Sequence, residues 1–152
     1  MFTKGEKAFR MHYYGMPSWT ENRGRNIVEI CVESGGQDLC PLKGGNAQAF
    51  MGADVKPGTW FHWVAVHDHP RVGFYLNGEL QVMDSPGGSW TSDPTKPVMI
   101  GNNSSSTGRS FDGILDEARI FNVVKDANWA KLEYESQKMG QTFLTFGPTQ
   151  SN

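Results

Sequence analysis

Three of the four histidines in this 152-residue chain fall inside one short stretch, His62-Trp-Val-Ala-Val-His67-Asp-His69-Pro70. Imidazoles spaced so closely could hold a transition metal or share acid–base work, provided they meet on one side of the chain. In an extended strand successive side chains alternate, so His62 lies with Trp60, Val64 and Val66, and His67 with Phe61, Trp63 and Ala65. The two imidazoles then point apart unless a bulge intervenes, and His69 falls where Pro70 and its polar neighbours end the strand. The pattern reads as a strand that carries histidine, not as a metal or catalytic trio.

The two cysteines, Cys31 and Cys40, flank Val-Glu-Ser-Gly-Gly-Gln-Asp-Leu. A two-residue hairpin turn at Gly35-Gly36 pairs Ser34 with Gln37, Glu33 with Asp38, Val32 with Leu39 and Cys31 with Cys40. The cysteines then occupy a non-hydrogen-bonded pair, with Cα atoms about 4.5–5.5 Å apart and within reach of a disulfide. Two free thiols are the alternative; a bridge implies an oxidising compartment. The same register sets Glu33 against Asp38, a like-charge pair that a solvated edge would tolerate.

The elements that must position these groups are short strands. Glycine numbers 18, aromatics make up 12% of the chain and the formal net charge is -2. Helix formers gather into one periodic run only, so the composition is that of an all-β domain with many turns. With no basic run and no apolar stretch near the ~20 residues of a membrane span, nucleic acid and membrane are excluded as main partners. The opening residues alternate and carry charge, unlike a secretory signal.

Lys7–Tyr14 alternates, with Phe9, Met11 and Tyr13 against Arg10, His12 and Tyr14. Asn26–Ser34 alternates too, with Val28, Ile30 and Val32 against Ile27, Glu29, Cys31 and Glu33. Gly58–Asp68 and Arg71–Met83 carry the strongest strand signals, the second with an Asn77-Gly78 turn. Val98–Asn103 and Ser110–Asn122 supply two more strands, and Gln141–Phe146 a last one. Lys125–Lys138 is the helical run, with Asp126 as its N-cap. The fold expected is an antiparallel β-sandwich with one short C-terminal helix, a single domain over residues 1–146 and a flexible tail at 147–152.

Three blocks then carry a resemblance. They are Trp60-x-His62-x-x-Ala65; Tyr75-x-Asn77-Gly78; and Phe111-x-Gly113-Ile-Leu-Asp116-Glu117-x-Arg119-Ile120. Their order and spacing, within a match over about residues 1–122, resemble the laminin-G-like jelly rolls of the concanavalin A-like superfamily. Position 115 is Leu where that family has Ile. Jelly rolls of this kind begin with a strand or two before the piece that looks like Phe2–Tyr14. The resemblance therefore implies an exposed sheet edge, covered by Gln141–Phe146 or by a second copy of the chain in a homodimer.

What the resemblance implies for function is a carbohydrate ligand. A pyranose stacks its C–H face on indole while its hydroxyls bond polar neighbours. Trp19 and Trp90 stand in loops of suitable composition, with Glu21, Asn22, Arg23 and Asp93 nearby; Trp60, Trp63 and Trp129 are expected in the core. Related domains hold a structural calcium against the acid at the position of Asp116. Here that residue shares a strand face with Ile114, Ala118 and Ile120 and would be partly desolvated. The alternative for Asp116 is bonding to backbone amides or to Arg119.

Jelly-roll hydrolases of the superfamily carry Glu-x-Asp-x-Glu on a concave-face strand, nucleophile first and acid/base last. Glu29 and Glu33 keep that spacing in Glu-Ile-Cys-Val-Glu, but Cys31 replaces the middle acid. The expectation is a non-catalytic, secreted or cell-surface module that binds polysaccharide or oligosaccharide. A small retaining glycoside hydrolase using Glu29 and Glu33, and a structural or adhesion module, are the alternatives.

Overall fold

The computed structural model describes residues 2–4, 8–15, 26–34, 37–40, 53–85, 89, 93–105, 108–141 and 147. Nine strands and one helix are formed among them. They are β1 (Phe2–Thr3), β2 (Phe9–Gly15), β3 (Asn26–Ser34), β4 (Gln37–Leu39), β5 (Ala53–Asp54), β6 (Trp63–Asp68), β7 (Arg71–Leu76), β8 (Glu79–Asp84), β9 (Met99–Ile100) and α1 (Ala127–Gln137). One sheet runs β4-β3-β2-β1-β9 with β5 also on β3; the other is β6-β7-β8. Every pairing is antiparallel. The architecture is a β-sandwich of jelly-roll type.

Alternation decides how the two layers meet. Val28, Ile30 and Val32 point inward from β3 and join Val72, Phe74 and Leu76 of β7, Val82 of β8 and Ala53 of β5. Phe9, Tyr13, Phe61, Trp63 and Ala65 close this core at its margins. Branched and aromatic side chains suit such a layer because they fill a pleated, half-enclosed surface.

Strand β7 is buried from Val72 to Leu76 without a break. Its in-between residue Tyr75 faces the other way and packs with Val66 and Ala130, with Val64, Met83 and Trp129 alongside. Helix α1 therefore covers the outer face of the small sheet. Its start follows from Asp126, whose Oδ1 accepts the Trp129 amide at 2.8 Å, as an N-cap should. The tight turn between β7 and β8 uses Asn77 (φ 52°) and Gly78 (φ 77°), the pair of left-handed residues that a two-residue hairpin demands. Gly73 lies opposite Met83, next to a register shift between Phe74 and Tyr75. A Cβ there would sit 2.2 Å from the Val82 carbonyl oxygen, so any side chain at 73 would push β8 away from β7.

One expected strand does not form. Residues 109–126 make no ladder, and Glu117 sits at φ 51°, a left-handed geometry that interrupts an extended run. Ile114, Ile120, Val123 and Val124 are exposed as a result. Alternation in Ser110–Asn122 suits a strand, but a strand also needs a neighbour to bond, and none of the described residues supplies one. The segment is tied down instead by single contacts. Phe111 donates its amide to the Gly101 carbonyl at 2.7 Å and sets its ring edge against Tyr13 at 5.5 Å. Arg119 bridges Glu117 and Glu133, and Phe121 packs on Trp129. The last expected strand, Gln141–Phe146, lies outside the described residues beyond Gln141 itself.

Candidate functional site

The outer face of the large sheet carries the polar side chains that a core would reject. Arg10 and His12 project there from β2, and Ile27, Glu29, Cys31 and Glu33 from β3. The register pairs His12 with Glu29 and Arg10 with Cys31. Arg10, Ile27, Glu29, Cys31 and Glu33 are all buried, with Glu29 only 6% and Glu33 8% exposed. Glu33 therefore does not stand on a solvated edge, as its charge had suggested, although Asp38 is its partner in register.

The disulfide expected from the hairpin is present: Cys31 and Cys40 are bonded, with Cα atoms 4.2 Å apart. Val32–Leu39, Glu33–Asp38 and Ser34–Gln37 are the pairs that count outward from the turn to the cysteines. Glu29 Oε1 lies 3.5 Å from Cys31 Sγ. A half-cystine has no proton to give, so this is a contact and not a hydrogen bond. The same Glu29 oxygen is 3.6 Å from His12 Nδ1. Glu29, Cys31 and Cys40 bring their ligand atoms within 4.8 Å of one another, and His12 adjoins this group on the Glu29 side. Sequence reading separated these residues because the pairing of β2 with β3 is non-local; the one available signal was the alternation of both strands.

Against that cluster, the carboxylates proposed for catalysis keep their places on one face, with a half-cystine between them where hydrolases of this type hold an acid. The histidines behave as alternation predicted. His67 is exposed on β6 and His69 stands beyond it in the turn with Pro70, while His62 packs near Tyr134 of α1. Enclosure holds the His62 imidazole below its ordinary value, the Glu133 carboxylate opposing that effect and the Arg119 guanidinium adding to it.

The consequence has a definite sign. A histidine kept neutral in the folded state leaves the unfolded chain with more bound protons below pH 6.5, so stability falls with pH from that point down to the lowered native value. Thermal melts between pH 7 and pH 5 should show this decline, with a shallower slope in His62→Gln. Equal slopes in the two proteins would remove His62 from the account.

Asp116 is not desolvated. It is exposed, and its Oδ1 accepts the amide of Glu117 at 2.9 Å, while Arg119 turns to Glu117 and Glu133 instead. Among the described residues no group of three acidic, histidine or cysteine side chains gathers around it. Calcium takes six to eight oxygens, and the described side chains around Asp116 do not supply such a set.

Asp93 is half-buried at the start of a turn. It accepts from the Thr95 amide at 3.0 Å and the Thr95 hydroxyl at 2.6 Å. The Thr95 hydroxyl is the main reason its carboxyl lies below the usual range. Trp19, Asn22, Arg23 and Trp90 lie outside the described residues. Trp60, expected in the core, is 64% exposed. Trp63 and Trp129 are half-buried against the two clusters. Trp60 precedes β6, beyond the level of the Asn77-Gly78 turn, and follows a turn closed by the Thr59 hydroxyl on the Lys56 carbonyl at 2.6 Å. Strand alternation could not reveal its exposure, because the strand starts only at Trp63.

Two comparisons return nothing: no curated protein and no solved structure matches the chain significantly. A third does. The family model Laminin_G_3, described as concanavalin A-like lectin/glucanases superfamily, matches residues 14–130. That span covers most of both sheets and the start of the helix. With two antiparallel layers, the Asn77-Gly78 hairpin and this match together, the chain belongs to the Laminin_G_3 family of the concanavalin A-like lectin/glucanase superfamily.

Proposed function

We propose that this domain binds carbohydrate without cleaving it, as a module of an extracellular protein. The observation that carries the choice is the half-cystine at position 31. It stands between Glu29 and Glu33 where the hydrolases hold a carboxyl, and it is tied to Cys40. A bonded sulfur neither donates nor accepts the proton that tunes a retaining pair. The near-complete burial of both glutamates supports the same reading. The disulfide also supports an oxidising, extracellular setting.

Indoles are the platform in this reading. Trp60 joins Trp19 and Trp90 as a candidate, since an exposed ring that size is unfavourable in water and stacks well on a pyranose. Affinity electrophoresis through gels containing β-glucan, xylan or mannan tests it. Retardation on one of them is expected, weakened several-fold by Trp60→Ala, Trp19→Ala or Trp90→Ala. Migration unaffected by every glycan would defeat the proposal, and reducing-sugar release abolished by Glu29→Gln would turn it into the hydrolase. Running the gels with calcium and with chelator tests whether glycan binding needs a cation.

A second reading rests on the exposed apolar run between Ile114 and Val124. Apolar side chains concentrated in one segment are a common mark of a protein contact. The partner in this reading is a second copy of the chain, seated along that segment. Light scattering after size exclusion should then report a dimer that Ile120→Asp dissociates; a monomer at all concentrations would dismiss it.

A further inference from the structure

Resting on the dimer reading above, we propose its register: two copies of the chain pair residues 113–123 as antiparallel strands about a twofold axis at Ala118. The case begins with unmet backbone groups. Among the described residues no backbone–backbone hydrogen bond reaches residues 112–125, and the Glu117 amide is held only by the Asp116 side chain. Residues 112–124 are exposed throughout, with Ile114 at 76% and Ile120 at 67%. A run of unpaired amides and carbonyls that also carries apolar side chains is a template for another strand. Glu117 stands at φ 51°, a left-handed conformation that an L-residue of its kind holds at a cost. Straightening it on pairing relieves strain.

Symmetry then narrows the register. In a twofold interface residue i of one copy meets j of the other, and j meets i. Opposed residues of an antiparallel pair also share a face, so one residue at the axis must meet itself. Asp116, Glu117 or Arg119 at that point would set like charges against each other. Ala118, the remaining member of the block, would not.

With Ala118 at the axis, Glu117 of each copy meets Arg119 of the other, and Leu115 meets Phe121. Opposite charges and apolar pairs placed directly across are the contacts that hold strands together. Glu117 and Arg119 already lie on one side of the chain, where Arg119 joins Glu117 and Glu133 of α1. Their side chains remain 53% and 42% exposed, within reach of a second copy. On the other side Asp116 meets Ile120. Ile120→Asp therefore sets acid on acid, the physical reason it parts the dimer.

Charge reversal tests the register separately from the dimer. Glu117→Arg and Arg119→Glu each place like charges on both sides of the axis, so each should weaken self-association about tenfold or more in light scattering after size exclusion. Mixed in equal amounts, the two variants restore opposite charges at both contacts. Native mass spectrometry should then find the heterodimer in excess of either homodimer. Their circular dichroism should match that of wild type, since exposed ion pairs contribute little to folding. If a single reversal fails to fold, the double variant Glu117→Arg/Arg119→Glu, which keeps opposite charges across the axis, must dimerise like wild type. A wild-type chain that stays monomeric at all concentrations overturns the register together with the dimer. A dimer that Ile120→Asp dissociates but neither reversal weakens overturns the register alone, and so does a mixture that stays monomeric or a double variant that does.

Discussion

Phe74→Ala should cost about 3–5 kcal/mol of folding stability, the range for removing a buried aromatic ring. Among the described residues Phe74 is the bulkiest fully enclosed side chain, 1% exposed. It projects from the middle strand of the small sheet onto Val28, Ile30 and Val32 of the large one. Its loss removes apolar area from the cluster in which the two layers meet. The backbone cannot collapse to fill the gap, because ladders on both sides fix β7. Since domains are stable by only about 5–15 kcal/mol, the variant should melt far below the parent. Urea titration is the measurement: the midpoint should fall with little change in slope. A loss under about 1 kcal/mol would mean that the layers do not pack across this ring.

Removal of the disulfide is the second large effect. With Cys31 and Cys40 nine positions apart, the chain-entropy relation gives about 2–3 kcal/mol for the bridge. For a chain of this length that corresponds to about 5–10 °C in melting temperature. The double variant Cys31→Ala/Cys40→Ala is the clean comparison, because it leaves no thiol to oxidise. Its melting temperature should match that of reduced wild type. A double variant as stable as the oxidised parent would show that the bridge only decorates a hairpin already held by its ladder.

Much of the fold was legible because the signals were local. Period-two alternation marked β2 and β3, and the Asn77-Gly78 pair marked the β7–β8 hairpin, since left-handed backbone at both positions requires such residues. Asp126 marked the start of α1 for an equally local reason, the amide three residues on. The failures share a cause as well. Ser110–Asn122 alternates like a strand, yet pairing depends on a partner elsewhere in the chain. Trp60 sits in a family motif next to core residues, yet its exposure depends on what the rest of the fold brings above it. Glu33 was assigned to a solvated edge by its charge, whereas the outer face of the large sheet is enclosed.

The sequence by itself determined the strand faces, the hairpin register that brings Cys31 to Cys40, and the helix cap. Each depends on residues within about ten positions, where backbone geometry leaves few choices. Tertiary structure alone decided that His12 meets Glu29 beside the disulfide, that both faces of β3 are buried and that Trp60 stands in solvent. These depend on how separate strands pair and stack, and alternation specifies which side a residue faces but not what it finds there.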